Sequence, residues 1–165
     1  MRNGGTPTTA YIGIGSNLGD RARQCYDAVA RMSLHEQIKV IRFSPLIETA
    51  PVGGPSNAPP FLNGAVQIET SLGARNLMTE LLAIETSLGR QRRDRWEPRI
   101  IDLDLLLFGD KILSGDDLLV PHPMMHQRQF VLEPLALIAP DVVHPTLQMT
   151  IQGLLESINS STVTV

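Results

Sequence analysis

Five of the fourteen basic residues of this chain fall between Arg90 and Arg99, and two aspartates, Asp102 and Asp104, follow at once. Arginine forks match phosphate oxygens, and carboxylates are the hard oxygen ligands that Mg²⁺ takes. An arginine cluster running into an apolar, strand-like stretch with paired carboxylates suggests a site for a metal-bound polyphosphate. Side chains alternate across a strand, so Asp102 and Asp104 project from one face and Ile101, Leu103 and Leu105 from the other. Like charges this close repel, and a metal or an arginine must offset them. D-x-D alone fits a solvated strand end or a structural Asp–Arg network equally well. The preceding arginines and the apolar run to Phe108 favour a site.

Two other clusters carry chemistry. Phe61-Leu62-Asn63 ends a stretch from Ala50 to Pro60 that holds four prolines and two glycines. Such a stretch reads as a long binding loop or as mere linkage. An aromatic beside an amide can stack a flat heterocycle and read its edge, although Phe61 alone reads equally as core. His122, held between Pro121 and Pro123, lies within nine residues of Arg128 and Phe130 in a chain with four histidines and four phenylalanines. His144, before Pro145, reads as structural. Gly13-x-Gly15-x-x-x-Gly19 lacks dinucleotide-binding spacing, so these glycines read as permitting a tight strand-to-helix turn. No phosphate-binding G-x-x-x-x-G-K-[ST] loop is present.

The elements that must position these residues follow from periodicity. Tyr11 to Asn17 is a buried strand. Asp20 caps a helix running to about Ser33, with Ala22, Cys25, Tyr26, Val29 and Met32 at helical spacing. Ile38 to about Thr49 and Phe61 to Thr70 are strands. Leu77, Leu81, Ile84 and Leu88 form a helix face that Gly89 stops. Ile100 to Phe108 is a strand, and Leu118-Leu119-Val120 is a short extended piece. Phe130 to Ile138 is a helix if Pro134 lies near its first turn, and Ile151 to Ile158 is a last helix. The order predicts an α+β fold: a ferredoxin-like β-α-β-β-α-β sandwich, helices on one face of an antiparallel sheet, with extra C-terminal helices.

Bulk properties narrow the function. The 165 residues suit one domain spanning 1–165, with residues 1–8 a flexible lead-in. A net charge of −3 with basic residues locally concentrated argues for a small anionic ligand rather than nucleic acid. The lone Cys25 excludes a disulfide framework, and no apolar run approaches membrane-spanning length. A cytoplasmic monomer without membrane or nucleic-acid partners is expected.

Together the motifs resemble the 6-hydroxymethyl-7,8-dihydropterin pyrophosphokinase family of folate biosynthesis, from about Tyr11 to about Pro145. The resemblance rests on Gly15-Ser16-Asn17-Leu18-Gly19, Phe61-Leu62-Asn63 and Glu85 through Arg90. It rests most on Arg95-Trp96-x-Pro98-Arg99-x-x-Asp102-x-Asp104 and on Pro121-His122-Pro123 through Arg128-x-Phe130-Val131-Leu132-x-Pro134-Leu135. It implies transfer of a pyrophosphoryl group from ATP to the pterin hydroxymethyl oxygen, releasing AMP, with two Mg²⁺ ions on Asp102 and Asp104. It implies a pterin stacked between Phe61 and Phe130, read by Asn63 and by backbone around Thr49, Ala50 and Val52. It implies ATP contacts from Glu85, Arg90, Arg92, Trp96, Arg99, Leu105, His122 and Arg128. Among these, Arg90 and Arg99 are catalytic, and Trp96 sits on a mobile closing loop. Glu97 stands where the family often has a small residue, and Phe61 replaces a tyrosine seen in some members. The competing readings are a two-metal phosphodiesterase and a non-catalytic ligand-binding domain on the same fold.

Overall fold

The computed structural model describes residues 6–49, 60–89 and 100–162. Its central strand is β1 (Thr8–Ser16), in which Ala10, Ile12 and Ile14 alternate with Tyr11, Gly13 and Gly15. β1 is paired antiparallel along both edges. On one side lies β4 (Phe61–Thr70), in register from Thr8↔Thr70 to Ser16↔Leu62. On the other lies β5 (Asp102–Phe108), from Ala10↔Phe108 to Gly15↔Asp102. β2 (Ile38–Phe43) and β3 (Ile47–Thr49) share the far edge of β4, so the sheet order is β2-β4-β1-β5 with β3 beside β4. α1 (Arg21–Leu34) connects β1 to β2, and α2 (Ala74–Ser87) connects β4 to β5. This is the expected ferredoxin-like α+β topology. Thr8, assigned to the lead-in from sequence, already pairs with Thr70.

The expected single strand from Ile38 to Thr49 is two. Pro45 has no N–H to donate to a ladder. Ser44 bridges the break: its N–H donates to the Ala65 carbonyl (2.9 Å), and its Oγ accepts the Ala65 N–H (2.9 Å). Asp20 caps α1 as expected, accepting the Arg23 N–H at 3.3 Å. Gly89 closes α2 at φ 96°, a left-handed backbone that glycine adopts without penalty.

One face of the sheet packs on α1 and α2. Ile12, Ile14, Val66, Ile68, Leu103 and Leu105 meet Cys25, Ala28 and Met32 of α1 and Leu77, Leu81 and Ile84 of α2. The second face is also covered, which corrects the expectation of helices on one side only. Tyr11, Ala65, Leu106 and Leu107 pack on α3 (Gln129–Ile138) and α4 (Ile151–Thr162). A β-bulge produces this second apolar face: Tyr11 opposes Leu107 and Ile12 opposes Leu105, so Leu106 is the extra residue. Central strands apolar on both sides must be covered twice.

Pro134 lies in the second turn of α3 rather than near the first. The bond it cannot make is to the Phe130 carbonyl, close to the helix start, where only the opening of the ladder is lost. β6 (Leu113–Ser114) and β7 (Leu119–Val120) form a small hairpin. A 3₁₀ turn at Met125–Gln127 leads into α3. Among the described residues no helix is long and apolar enough to cross a membrane.

His144 is structural, as expected. It is buried, and its Nδ1 accepts the N–H groups of Thr146 (3.2 Å) and Leu147 (3.1 Å), which sets the turn before α4. Burial, aided by the neighbouring His126, pushes its pKa below 6.5. The folded state therefore holds it neutral while the unfolded chain protonates. Its contribution to stability is complete above about pH 6.5 and is lost as the pH falls from there through the folded pKa. Urea melts should show stability declining across that acidic range. His144→Asn, which keeps an acceptor near Nδ1 but does not titrate, should flatten the decline. An unchanged slope would show that other groups cause it.

Candidate active site

The registers of β1, β3, β4 and β5 assemble the site in rows across the second face. One row reads Ile47, Asn63, Gly15, Asp102, and the next reads Ala65, Gly13, Asp104. Phe61, two residues before Asn63 in β4, shares its face and opposes Thr49. Positions 13 and 15 carry no side chains of their own, and neighbours use the space: Leu106 lies over Gly13, and Asn63 and Phe61 lie over Gly15. A Cβ on Gly15 would lie 2.9 Å from Asn63 Oδ1 and 3.6 Å from Phe61 Cδ1. These two glycines are thus clearance within a strand. The turn role expected of them belongs to Gly19, at φ 71°.

Asp102 and Asp104 are half-buried on that face, as the alternation predicts, while Leu103 between them enters the first core. Both carboxylates have partners within the chain. β5 is an edge strand, and its outward Leu103 N–H donates to Oε2 of the buried Glu85 at 2.7 Å. Glu85 thereby fixes the backbone between the two aspartates. It also borders a cavity of about 540 Å³ between α2 and the β6–β7 hairpin, lined among the described residues by Met78, Leu82, Thr86 and Leu118. The Arg75–Asp117 ion pair lies on its wall. Leu105, expected at the ATP site, is packed into the first core and is not part of this described lining.

On the other side of the carboxylates, the His122 N–H donates to the carbonyl of the bulged Leu106 at 2.9 Å. Its Nδ1 accepts the Met124 N–H at 3.2 Å, which leaves the ring proton on Nε2. Burial first, then the Arg128 cation, hold its pKa below the ordinary value, and Asp102 opposes them in part. The ring is a neutral donor set between an arginine and a carboxylate. Arg128 caps α3, and its guanidinium lies 5.7 Å from the Phe130 ring centroid. Phe130, in the first turn of α3, is carried over β4 toward the face that holds Phe61 and Asn63. Asn63 is buried, and its Nδ2 donates to Thr49 Oγ1 at 2.6 Å.

Thr49, Phe61, Asn63, Glu85, Asp102, Asp104, His122, Arg128 and Phe130 are therefore gathered along one end of the sheet. Ala50, Val52, Arg90, Arg92, Trp96 and Arg99, with Glu97, lie outside the described residues. Sequence reasoning missed Arg21. From the first residue of α1 it donates to the Pro60 carbonyl (2.9 Å) and to Glu48 Oε2 (2.7 Å), holding together the chain on both sides of residues 50–59. Its partners are remote in sequence and no motif announces them. The clearance at Gly15 and the hydroxyl of Thr49 were also missed. The register that brings either to Asn63 is a long-range property.

Comparison with known proteins shows the family and the fold. Residues 11–140 match the family model described as 7,8-dihydro-6-hydroxymethylpterin-pyrophosphokinase (HPPK). The chain is 47% identical over 133 residues to 2-amino-4-hydroxy-6-hydroxymethyldihydropteridine pyrophosphokinase of Bacillus subtilis, covering 81% of this chain and 79% of that one. It is 40% identical over 154 residues to the protein of the same description from Synechocystis, covering 93% and 78%. Its fold matches a crystal structure of wild-type Plasmodium falciparum HPPK-DHPS with pteroate, with a TM-score of 0.76 at 16% identity. That match covers 97% of this chain, which spans only 44% of the longer one.

The carboxylate of Glu85 generates a prediction. Glu85→Ala leaves an edge-strand amide without its acceptor and should destabilise the protein by about 1–3 kcal/mol. Glu85→Gln keeps an acceptor and should recover most of that loss. Chemical denaturation of the two variants measures the difference, and equal stability would show that the Leu103 amide does not need the bond.

Proposed function

Because the chain belongs to the 7,8-dihydro-6-hydroxymethylpterin-pyrophosphokinase family, we propose that the residues gathered at the end of its sheet divide the family reaction between a pterin side and a phosphate side. The reaction itself is the ATP-dependent transfer of pyrophosphate to 6-hydroxymethyl-7,8-dihydropterin in folate synthesis. The observation that carries the division is the single row Asn63–Gly15–Asp102. It puts an amide that can read a heterocycle and a carboxylate that can hold a metal on either side of a strand position without a side chain.

On the pterin side, Phe61 and Phe130 stack the ring and Asn63 hydrogen-bonds its polar edge, with Thr49, Ala50 and Val52 completing the pocket. Offset stacking on each ring contributes on the order of 1 kcal/mol beyond burial. On the phosphate side, the neutral His122 donates from Nε2 to a phosphate oxygen, and Arg128 adds a fork beside it. Arg90, Arg92 and Arg99 complete that cluster, and Trp96 closes over it. The cavity bordered by Glu85 suits the adenosine end of ATP, since it is concave, largely apolar and adjacent to the carboxylates.

The pterin hydroxymethyl oxygen forms a bond to the β-phosphorus of ATP and gives up its proton. The bond from that phosphorus to the bridging oxygen breaks, and AMP leaves with the electron pair. Charge grows on the bridging and nonbridging oxygens, so fixed cationic groups and aligned donors lower the barrier more than a dedicated base would. Arg90 and Arg99 act chiefly in that charged arrangement. Holding the two substrates across the end of β1 supplies alignment.

Asp102 and Asp104 fit Mg²⁺. They are two half-buried oxygen donors on one face of the strand. Mg²⁺ is bound in this way, by one or two carboxylates plus substrate phosphates. Two ions there would neutralise the polyphosphate and polarise its oxygens. The same proposal includes a monomer. It also includes a cytoplasmic setting without nucleic-acid partners, supported by the single buried cysteine and the net charge of −3.

Two measurements test this. Asp102→Asn or Asp104→Asn should lower turnover by roughly 10²-fold or more through lost charge stabilisation and shift the Mg²⁺ titration, while the melting temperature stays near wild type. Activity lost only in proportion to unfolding would mark a structural Asp network instead. Phe130→Ala should weaken pterin binding about tenfold, with ATP-analogue binding little changed. Equal loss for both ligands in a folded variant would remove Phe130 from the pterin side.

A further inference from the structure

Arg21 is the first residue of α1, where a cation gains nothing from the helix, because the unpaired N–H groups leave that end partly positive. Its guanidinium instead leaves the helix for two acceptors elsewhere, the Pro60 carbonyl at 2.9 Å and Glu48 Oε2 at 2.7 Å. A fork of several N–H donors can serve both at once, which a single ammonium does less well. The two acceptors belong to residues on either side of one rung, Thr49↔Phe61. There the pairing of β3 with β4 ends. β3 has three residues and is paired with β4 alone among the described strands. So short a strand end frays unless something holds it. Glu48 alternates with Ile47 and Thr49, so its side chain takes the face of the sheet opposite to Phe61 and Asn63. Arg21 therefore grips the rung from behind.

From this geometry we infer that Arg21 is a positioning residue for the pterin side, a clasp that keeps the last rung of β3 and β4 closed and Phe61 set for stacking. The inference rests on the pterin side proposed above and deepens it. Arg21 acts through the rung and not on either substrate. With the clasp broken, the rung opens part of the time, and only the closed fraction binds. Apparent pterin affinity falls in proportion to that fraction. Once bound, the pterin itself holds the rung closed, so turnover at saturation is kept. The phosphate side lies across β1, on β5 and its partners, and does not depend on this contact.

The test measures equilibrium binding of 6-hydroxymethyl-7,8-dihydropterin to the full chain with an ATP analogue and Mg²⁺ present, beside steady-state kinetics and amide hydrogen exchange of the free protein. Arg21→Ala should weaken pterin binding and raise its KM about fivefold. Its kcat, its affinity for the ATP analogue alone and its melting temperature should match wild type. Amide exchange should quicken at residues 47–49, the strand that the clasp holds. Glu48→Ala should act in the same direction and add nothing to Arg21→Ala in the double variant, because the two changes remove one shared contact. Arg21→Lys, which keeps the charge without the fork, should recover part of the affinity. Additive losses in the double variant would overturn the clasp, as would equal losses of pterin and ATP-analogue affinity. Phe61→Ala separates the clasp from the pterin side. Should Phe61→Ala weaken pterin binding while Arg21→Ala does not, the clasp is wrong and the pterin side stands. Should a folded Phe61→Ala bind pterin as tightly as wild type, the stacking role of Phe61 fails and the clasp with it.

Discussion

Everything at this site depends on β1 being hydrogen-bonded on both edges while presenting no side chain at two successive positions of one face. Pairing along both edges fixes β4 and β5 at a set spacing on either side of it. The missing side chains leave a floor at Gly15, overhung by Asn63 and Phe61, and let Leu106 lie over Gly13. Asn63 and Phe61 stand along one wall of the floor, and Asp102 and Asp104 along the other. The opposite face of the same strand, at Ile12 and Ile14, is packed against both helices. A ligand lying across the floor would press on a strand that cannot retreat.

The contacts that protect the edge of the sheet are the ones that bring Glu85 and His122 to the strand of the two aspartates. β5 is an edge strand, and exposed edge amides and carbonyls invite pairing with other chains. Glu85 takes the Leu103 N–H, and the His122 N–H takes the Leu106 carbonyl. Each covers one polar group of the edge and by doing so brings a side chain next to the carboxylates. The bulge at Leu106 serves both purposes too, turning two leucines toward α3 and offering a carbonyl to His122.

Much of this was legible from residue order. Alternation through Ile101–Leu105 correctly separated the aspartates from the core because a strand admits only two faces. The α1 cap at Asp20 and the stop at Gly89 were legible because each is a local backbone requirement. The second helical layer was not inferred, since Tyr11, Ala65, Leu106 and Leu107 look like ordinary strand residues until the bulge gives them a common direction. The division of Ile38–Thr49 by Pro45 could have been foreseen from its missing N–H. Arg21 could not, because its worth comes from pairing with Glu48 and Pro60, a geometry that exists only once the sheet has formed. Leu105 shows the converse: the resemblance implies a ligand contact at that position, and its side chain packs into the core.

The grip of Arg21 on Glu48 and Pro60 has an evolutionary consequence. With the two ends tied to the start of α1, the frame that orients Thr49, Phe61 and Asn63 does not depend on how many residues join those ends. Closure entropy rises only slowly with length, by about 0.6 kcal/mol per doubling. Changes of length between the ends therefore cost the frame little. Descendants of one ancestor could vary the length between those ends without redesigning the frame that holds Phe61 and Asn63.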